Sequence, residues 1–242
     1  MIEKTEDIEK IYRSLSGRPD IFSGKIKALL ESYGTGYDFL SFYVQDKGVV
    51  IGKYYGSSVI SGNIPDEEGA EELKSFLPTL GKGVLMSLEN GERLGIADTA
   101  RRGCIMKFTD SAPREGDLTR DDVTTWLSYR EIYEILKDGF DMSFDEWYVD
   151  INHNVRHGIS TVYSVGNAST ATVMFTVDGI SFVSAVATRP EMRGRGIATK
   201  LLRYIGKKEK EARNDCLLIC KEELLPFYTA AGFTLSGYSV EI

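Results

Sequence analysis

Three short strand-like runs follow one another at FLSFYVQ (39–45), GVVIGKYYG (48–56) and SSVISGN (57–63). Three more follow at STVYSVG (160–166), ATVMFTV (171–177) and FVSAVAT (182–188). Apolar runs of this length bounded by turn residues read as strands. The joins are short, at Asp46-Lys47, Asn167 to Ser169 and Asp178-Gly179, and short joins pair strands antiparallel. Each triplet stands in the same company. Before the first, helical spacing runs through Ile8, Ile11, Tyr12 and Leu15 and again over Ile26 to Tyr33; after it come a helix over Glu67 to Leu77 and a strand over Val84 to Leu88, with Asn90-Gly91 as a hairpin turn. Before the second, Ser128 with Glu131 and Ser143 with Glu146 open two helices as capping boxes. After it come a long helix over Gly196 to Ala212, the apolar strand CLLIC (216–220), a short helix over Glu223 to Ala231 and a last strand or hairpin over Phe233 to Ile242. The expected class is α+β, with mixed, mostly antiparallel sheet, in two halves built alike. Two unrelated α+β segments are the alternative.

The stretch TDSAPREGDLTRDD (109–122) is polar, carries Pro and Gly, and has little apolar periodicity, so it reads as a linker or long loop. The division expected is 1–118 and 119–242. Twenty-nine Lys and Arg against 36 Asp and Glu give a net charge of −7, which argues against a general nucleic-acid binder but leaves room for a small basic patch. No apolar run approaches the roughly 20 residues of a membrane span, and Met1 to Lys10 is too charged for a secretion signal. Three cysteines make no complete disulfide framework, and Cys216 and Cys220 read as small buried residues. The expected location is cytoplasmic, with no membrane partner. His153 and His157 are four apart without an evident third ligand; they read as polar loop residues, and no metal site is expected. Gly34-Thr35-Gly36 and Gly81-Lys82-Gly83 read as turns, and Asp66 to Glu72 as a solvated helix start.

The stretch that carries chemistry is AVATRPEMRGRGIATKLL (185–202), an apolar strand, a Pro-containing turn and an amphipathic helix. Glycines at such a turn let backbone approach a ligand, and the first helical N–H groups have no partner within the helix. The helix dipole and two arginines add positive charge, which suits a pyrophosphate. The Gly-Lys-Ser/Thr ending of a Walker loop is missing, and the spacing of a dinucleotide fingerprint fails. What the residues Arg193, Gly196 and Ala198 do match is Arg-x-x-Gly-x-Ala after a strand ending in Thr188-x-Pro190. This resembles the coenzyme A signature of the GNAT superfamily of N-acyltransferases. LLICKEELLPFYTAAGF (217–233), with Tyr228 four residues before Gly232-Phe233, resembles the end of the same fold and is similar to the arylalkylamine N-acetyltransferase branch. Lys221 stands where many members carry Asn. The resemblance covers about 125–242.

The resemblance implies a tandem GNAT-like fold whose second half uses acetyl-CoA, without metal, to acetylate a primary amine of a small molecule or peptide by direct attack. The sheet is expected to open beside the strand ending at Thr188, with the pantetheine arm along Val186, Ala187 and Thr188. The pyrophosphate is expected on Arg193, Gly194, Arg195, Gly196, Ile197, Ala198 and Thr199. A backbone N–H near Thr188 is implied as oxyanion donor and Tyr228 as general acid. Glu146, Glu222 and Glu223 are near enough to weigh as a base, but each reads as a surface carboxylate. Lys207 to Arg213 reads as an exposed helix face or as a second basic site for the 3′-phosphate. Phe140, Phe144, Trp147 and Tyr148 read as core or as acceptor lining. In the first half the equivalent turn, Ile64 to Glu68, is acidic and repels a pyrophosphate, so that half is expected to be a degenerate copy. A non-catalytic acyl-CoA sensor or protein-interaction module on the same fold is the rival reading, and a monomer or homodimer is expected.

Overall fold

The computed structural model describes residues 1–17, 19–46, 48–125, 127–140 and 142–242. Two compact units emerge, Met1–Ile105 with Gly237–Ile242, and Met106–Ser236. The division therefore falls at 105/106 rather than within the polar stretch 109–122, and the last six residues belong to the first unit.

The first unit holds β1 (Ile2–Thr5), α1 (Ile8–Ser14), α2 (Ile21–Tyr33), β2 (Leu40–Gln45), β3 (Val50–Tyr54), β4 (Ser57–Ser61), α3 (Glu67–Phe76), β5 (Val84–Ser87), α4 (Leu88–Arg93) and the start of β6 (Arg101–Phe108). Its strands run in the order β1-β2-β3-β4-β5, and the end of β11 (Phe233–Glu241) adds a further strand beside β5. All pairs are antiparallel except β4 with β5, which pair in parallel over Ser58↔Val84 and Val59↔Leu85. Val49, Ile51, Ile60, Leu73, Leu80, Met86 and Val240 form its core. The strand β1 has no clear alternation and was not legible in the sequence. The helix α2 starts at Ile21, five residues earlier than its apolar spacing indicates, because Asp20 and Ser23 cap each other. The turn expected at Asp46-Lys47 reaches Lys47, which lies outside the described residues.

Asn90-Gly91 is not a hairpin turn. Both residues sit inside α4, whose N-terminus Ser87 caps by accepting the Asn90 N–H. Asn90 is buried and bonded at both ends: its Nδ2 donates to the Gly62 carbonyl at 2.8 Å and its Oδ1 accepts from the Ile64 N–H at 3.4 Å. Gly91 is required for closeness rather than for a turn, since a Cβ there would meet Val240 Cγ2 at 2.6 Å.

The second unit holds α5 (Tyr129–Leu136), α6 (Phe144–Arg156), β7 (Thr161–Val165), β8 (Ser169–Val177), β9 (Ile180–Thr188), α7 (Ile197–Glu211), β10 (Asp215–Cys220), α8 (Leu225–Ala230) and the start of β11. Its strand order is β6-β10-β9-β8-β7; β7, β8 and β9 are antiparallel, and β10 is parallel to β9. Ser128 caps α5 in a reciprocal box with Glu131, and Ser143 caps α6. Leu201, Leu202 and Ile205 give α7 a fully buried stripe. The C-terminal residues Phe233–Glu241 form one strand, not a hairpin.

Three expectations need correction here. His153 lies in α6 and His157 at its C-cap, so the pair is helical and not in a loop. The stretch 109–122 is no slack linker. Arg203, 2% exposed, donates from Nε to Asp117 at 2.8 Å and from Nη1 to Asp110 at 2.7 Å, with a further bond to the Ala112 carbonyl. Lys207 to Arg213 is exposed at Lys208 and from Lys210 to Arg213, as expected, but it is not a bare face: Lys207 pairs with Asp117, Lys210 donates to the Thr109 carbonyl, and Glu209 is buried against Ser181. A helix whose flank holds a polar loop in place needs charge on that flank, and the charge is spent internally.

Candidate active site

The site follows from how β9 and β10 part company. Their parallel pairing covers Asp215↔Ile180, Cys216↔Ser181 and Leu217↔Phe182 and then stops. Beyond it a cleft of about 810 Å³ opens, lined by Val183 to Thr188 on one side and Ile219, Cys220 and Lys221 on the other. The cause is visible on β9. Against β8, Ala187 faces Thr170 and Ser184 faces Thr172, so Ala185 and Val186 together oppose the single residue between. Such a bulge bends its strand and breaks the regular ladder. Ala185 sits at φ +50°, a left-handed conformation that costs a residue with a Cβ about 1–2 kcal/mol. The strand end is then tied back to β8: Ser169 Oγ donates to the Ala187 carbonyl at 2.8 Å and lies 2.9 Å from Thr188 Oγ1.

One end of the cleft is formed by the turn between β9 and α7. Pro190–Met192 make a single 3-10 turn, and Gly194 and Gly196 follow at φ +75° and +71°. Gly196 is the N-cap of α7 and supplies no side-chain acceptor, so the first N–H groups of that helix face outward uncapped. No atom stands within 4 Å of where a Cβ on Gly194 or Gly196 would lie. Arg193 Nε donates to the Thr188 carbonyl at 3.1 Å, which fixes a guanidinium at the mouth of this cradle. A concave set of free N–H groups with a guanidinium beside it is complementary to a phosphate.

The remaining wall is aromatic. Tyr228 on α8 packs against Phe227 and Phe233 and is 9% exposed. Burial, with Cys220 beside it, pushes its phenol up to about 12. Its hydroxyl makes no hydrogen bond among the described residues, which is uncommon for a side chain so deeply buried. Ile135, Gly139 and Phe140 close the opposite side.

The residues expected from sequence thus come together with one exception. Val186, Ala187, Thr188, Arg193, Gly194, Gly196, Ile197, Ala198, Thr199 and Tyr228 all line the cleft. Arg195 is exposed and donates to the Glu191 carbonyl at 3.4 Å, outside the lining. Of the four aromatic residues weighed as lining, only Phe140 reaches the cleft. Trp147 and Phe144 pack with Tyr133, and Tyr148 stacks on Phe144 at 5.5 Å. Glu223 lines the cleft but is highly exposed and pairs with Lys221 at 3.8 Å, and Glu146 is bonded to Ser143. Sequence reading missed Met192, Cys220 and Phe227 as lining. Their apolar character reads as core, and the opening of the strands beside them comes from a bulge that alternation does not reveal. Among the described residues no group of three or more His, Cys, Asp or Glu is placed to hold a metal, and no helix is long and apolar enough to cross a membrane.

An acetyltransferase (GNAT) family model matches residues 156–235, which span β7 to β11 and most of the cleft. Those residues form a GNAT domain. No curated protein matches the chain in sequence. Among solved structures, a GNAT-family acetyltransferase from Colwellia psychrerythraea aligns over 100% of this chain and 99% of its own at a TM-score of 0.61, with 11% identity. A tandem GNAT protein from the clavulanic acid biosynthesis pathway aligns over 100% and 97% at 0.61, with 10% identity. A GCN5-related N-acetyltransferase from Kribbella flavida aligns over 91% and 93% at 0.56, with 15% identity. The fold of the chain is that of tandem GNAT acetyltransferases.

Proposed function

We propose that the second unit is an acetyl-CoA-dependent N-acetyltransferase whose acceptor is a primary amine of a small molecule or peptide. One observation carries the reading: a cleft between splayed parallel strands that ends on an uncapped helix N-terminus with a guanidinium beside it. Acetyl-CoA is a substrate here, and the residues present fit it at three points. The Gly194–Gly196 turn and the first N–H groups of α7 accept the pyrophosphate, with Arg193 adding charge. The backbone of Val186 to Thr188, which β10 leaves unpaired, takes the pantetheine amides in the manner of an added strand. Tyr228 stands where the thiol leaves.

In this reading the amine attacks the thioester carbonyl directly. A backbone N–H of the bulged end of β9 donates to the oxygen that gains charge. Tyr228 gives its proton to the departing sulfur; a phenol held at about 12 is protonated at neutral pH and able to act as the acid. The amine loses its proton to solvent or to a carboxylate at the cleft mouth, of which Glu223 is the one in the lining.

The test is release of free thiol from acetyl-CoA in the presence of pooled primary amines. Tyr228→Phe keeps the ring and removes only the hydroxyl, so turnover should fall by about 100- to 10,000-fold with little change in acetyl-CoA affinity. A fall of less than about threefold returns Tyr228 to packing. Tight acetyl-CoA binding with no thiol release for any amine favours the sensor reading.

A further inference from the structure

The cleft holds one nucleophile that the proposed chemistry does not use. Cys220 lines it, at the end of β10. Cys220 lies three residues beyond Leu217, the last residue of β10 paired with β9, on the stretch that faces the opening across from the bulged end of β9. Cys220 also neighbours Tyr228, whose phenol its field helps to raise, and the Tyr228 hydroxyl has no partner among the described residues although the side chain is more than nine-tenths buried. An unpartnered hydroxyl that a deeply buried side chain presents to a cleft marks a place where a ligand atom belongs. In the coenzyme A reading of this cleft, on which this inference rests, that atom is the ligand sulfur. The other two cysteines are placed differently. Cys104 lies in β6 of the first unit, and Cys216 is 2% exposed in the core, where burial pushes its thiol well up. Neither lines the cleft.

We propose that Cys220 is a modification site at which coenzyme A disulfide, seated in the cleft by its pyrophosphate, exchanges to leave coenzyme A covalently held and the cleft blocked. The step balances without an outside oxidant. The Cys220 thiolate attacks the sulfur of the seated half; the new bond joins Cys220 to that sulfur, and the old disulfide breaks. The unseated half leaves as a thiolate and takes up the proton that Cys220 lost. One disulfide is exchanged for another, and a dithiol reverses it. Burial slows a cysteine by disfavouring its thiolate, so an unguided small disulfide should react poorly. Seating the disulfide by its distant phosphates overcomes this through proximity.

The experiment uses the full-length protein and intact-mass spectrometry. Coenzyme A disulfide should add a single coenzyme A per chain, at least about a hundredfold faster than glutathione disulfide adds glutathione, the margin expected when binding supplies the proximity. Acetyl-CoA should protect, and dithiothreitol should remove the adduct and restore thiol release together. Cys220→Ser should take up no coenzyme A and lose no activity to the disulfide, whereas the double variant Cys104→Ser/Cys216→Ser should still be labelled. Calorimetric titration of the same preparation with acetyl-CoA separates the two ideas. If acetyl-CoA binds but labelling fails, persists in Cys220→Ser, or is matched by glutathione disulfide, the modification site is wrong and the coenzyme A cleft stands. If acetyl-CoA does not bind, both fall.

Discussion

The two units solve the same local problem in opposite ways. In each, a pair of parallel strands stays together for only two or three residues, β4 with β5 and β9 with β10, and a turn leads from the earlier strand into a helix. At this turn of the first unit the protein satisfies itself. Asp66 caps α3 by accepting the Gly69 N–H at 2.8 Å, so a carboxylate of the chain occupies the helix end where a phosphate could lie. Asn90 bonds the loop after β4 from both ends of its amide. In the second unit the matching helix start is left open, since Gly196 gives α7 no side-chain cap, and the Tyr228 hydroxyl has no partner among the described residues. The lesson is that a binding site can be recognised by polar groups the fold declines to satisfy. A polar group bonded within the fold stabilises it; one left open on the wall of a cleft is available to a ligand.

The largest effect should come from disturbing the open helix end. Gly196→Glu puts a carboxylate where no atom stands within 4 Å, and acetyl-CoA affinity should drop by at least about a hundredfold, since a like charge a few ångströms from a pyrophosphate repels by kcal/mol amounts. Glu67→Arg, at the matching helix start of the first unit, should leave affinity unchanged. Titration calorimetry reads both, and equal losses would collapse the distinction between the units.

Stability should show the reverse preference. Asn90→Leu leaves the N–H of buried Ile64 without a partner and removes the bond to the Gly62 carbonyl, and should cost about 1–3 kcal/mol in denaturant unfolding. Tyr228→Phe removes a hydroxyl that the fold does not use and should cost less than about 1 kcal/mol. If the Tyr228 variant proves the less stable, its hydroxyl is structural and the contrast fails.

The smallest effect is an acid one, confined to the second unit. The Arg203 guanidinium first, and the Ala112 N–H next, hold the Asp110 carboxyl at about 2 against an ordinary 3.8, and Arg203 holds Asp117 well below its ordinary range too. A carboxylate lowered on folding stabilises above its unfolded value, and that contribution is lost as pH falls through the folded one. Amide exchange in 109–122 should therefore rise between about pH 4 and pH 2 while β2 to β4 keep their protection. Loss of protection in those strands at higher pH than in the loop would reverse the assignment.

Much of this was legible in the sequence. Apolar runs bounded by turn residues located six strands, Ser and Glu pairs located two helix starts, and Arg193, Gly196 and Ala198 located the cradle, because each signal is local. The failures share a cause. Asn-Gly is a turn signal only while nothing distant competes; here Gly62, Ile64 and Val240 hold the pair in a helix. The stretch 109–122 reads as linker because its partner, Arg203, lies more than eighty residues away. The bulge at Ala185 has no signature in a run of small apolar residues, yet it opens the cleft.

The strand β11 has a consequence for how the chain comes into being. Its last residues pair with β5, with Ser239 opposite Ser87 and Val240 opposite Met86, and Val240 is fully buried in the core of the first unit. That unit therefore lacks a core side chain and a strand neighbour until residues 237–242 emerge from the ribosome. At about 5–20 residues per second, the wait after β5 is synthesised is roughly 8–30 seconds. Through that interval β5 presents an unpaired edge, the kind of surface on which nascent chains associate with one another. Proteolytic separation of residues 237–242 from β5 would return the first unit to the same exposed state.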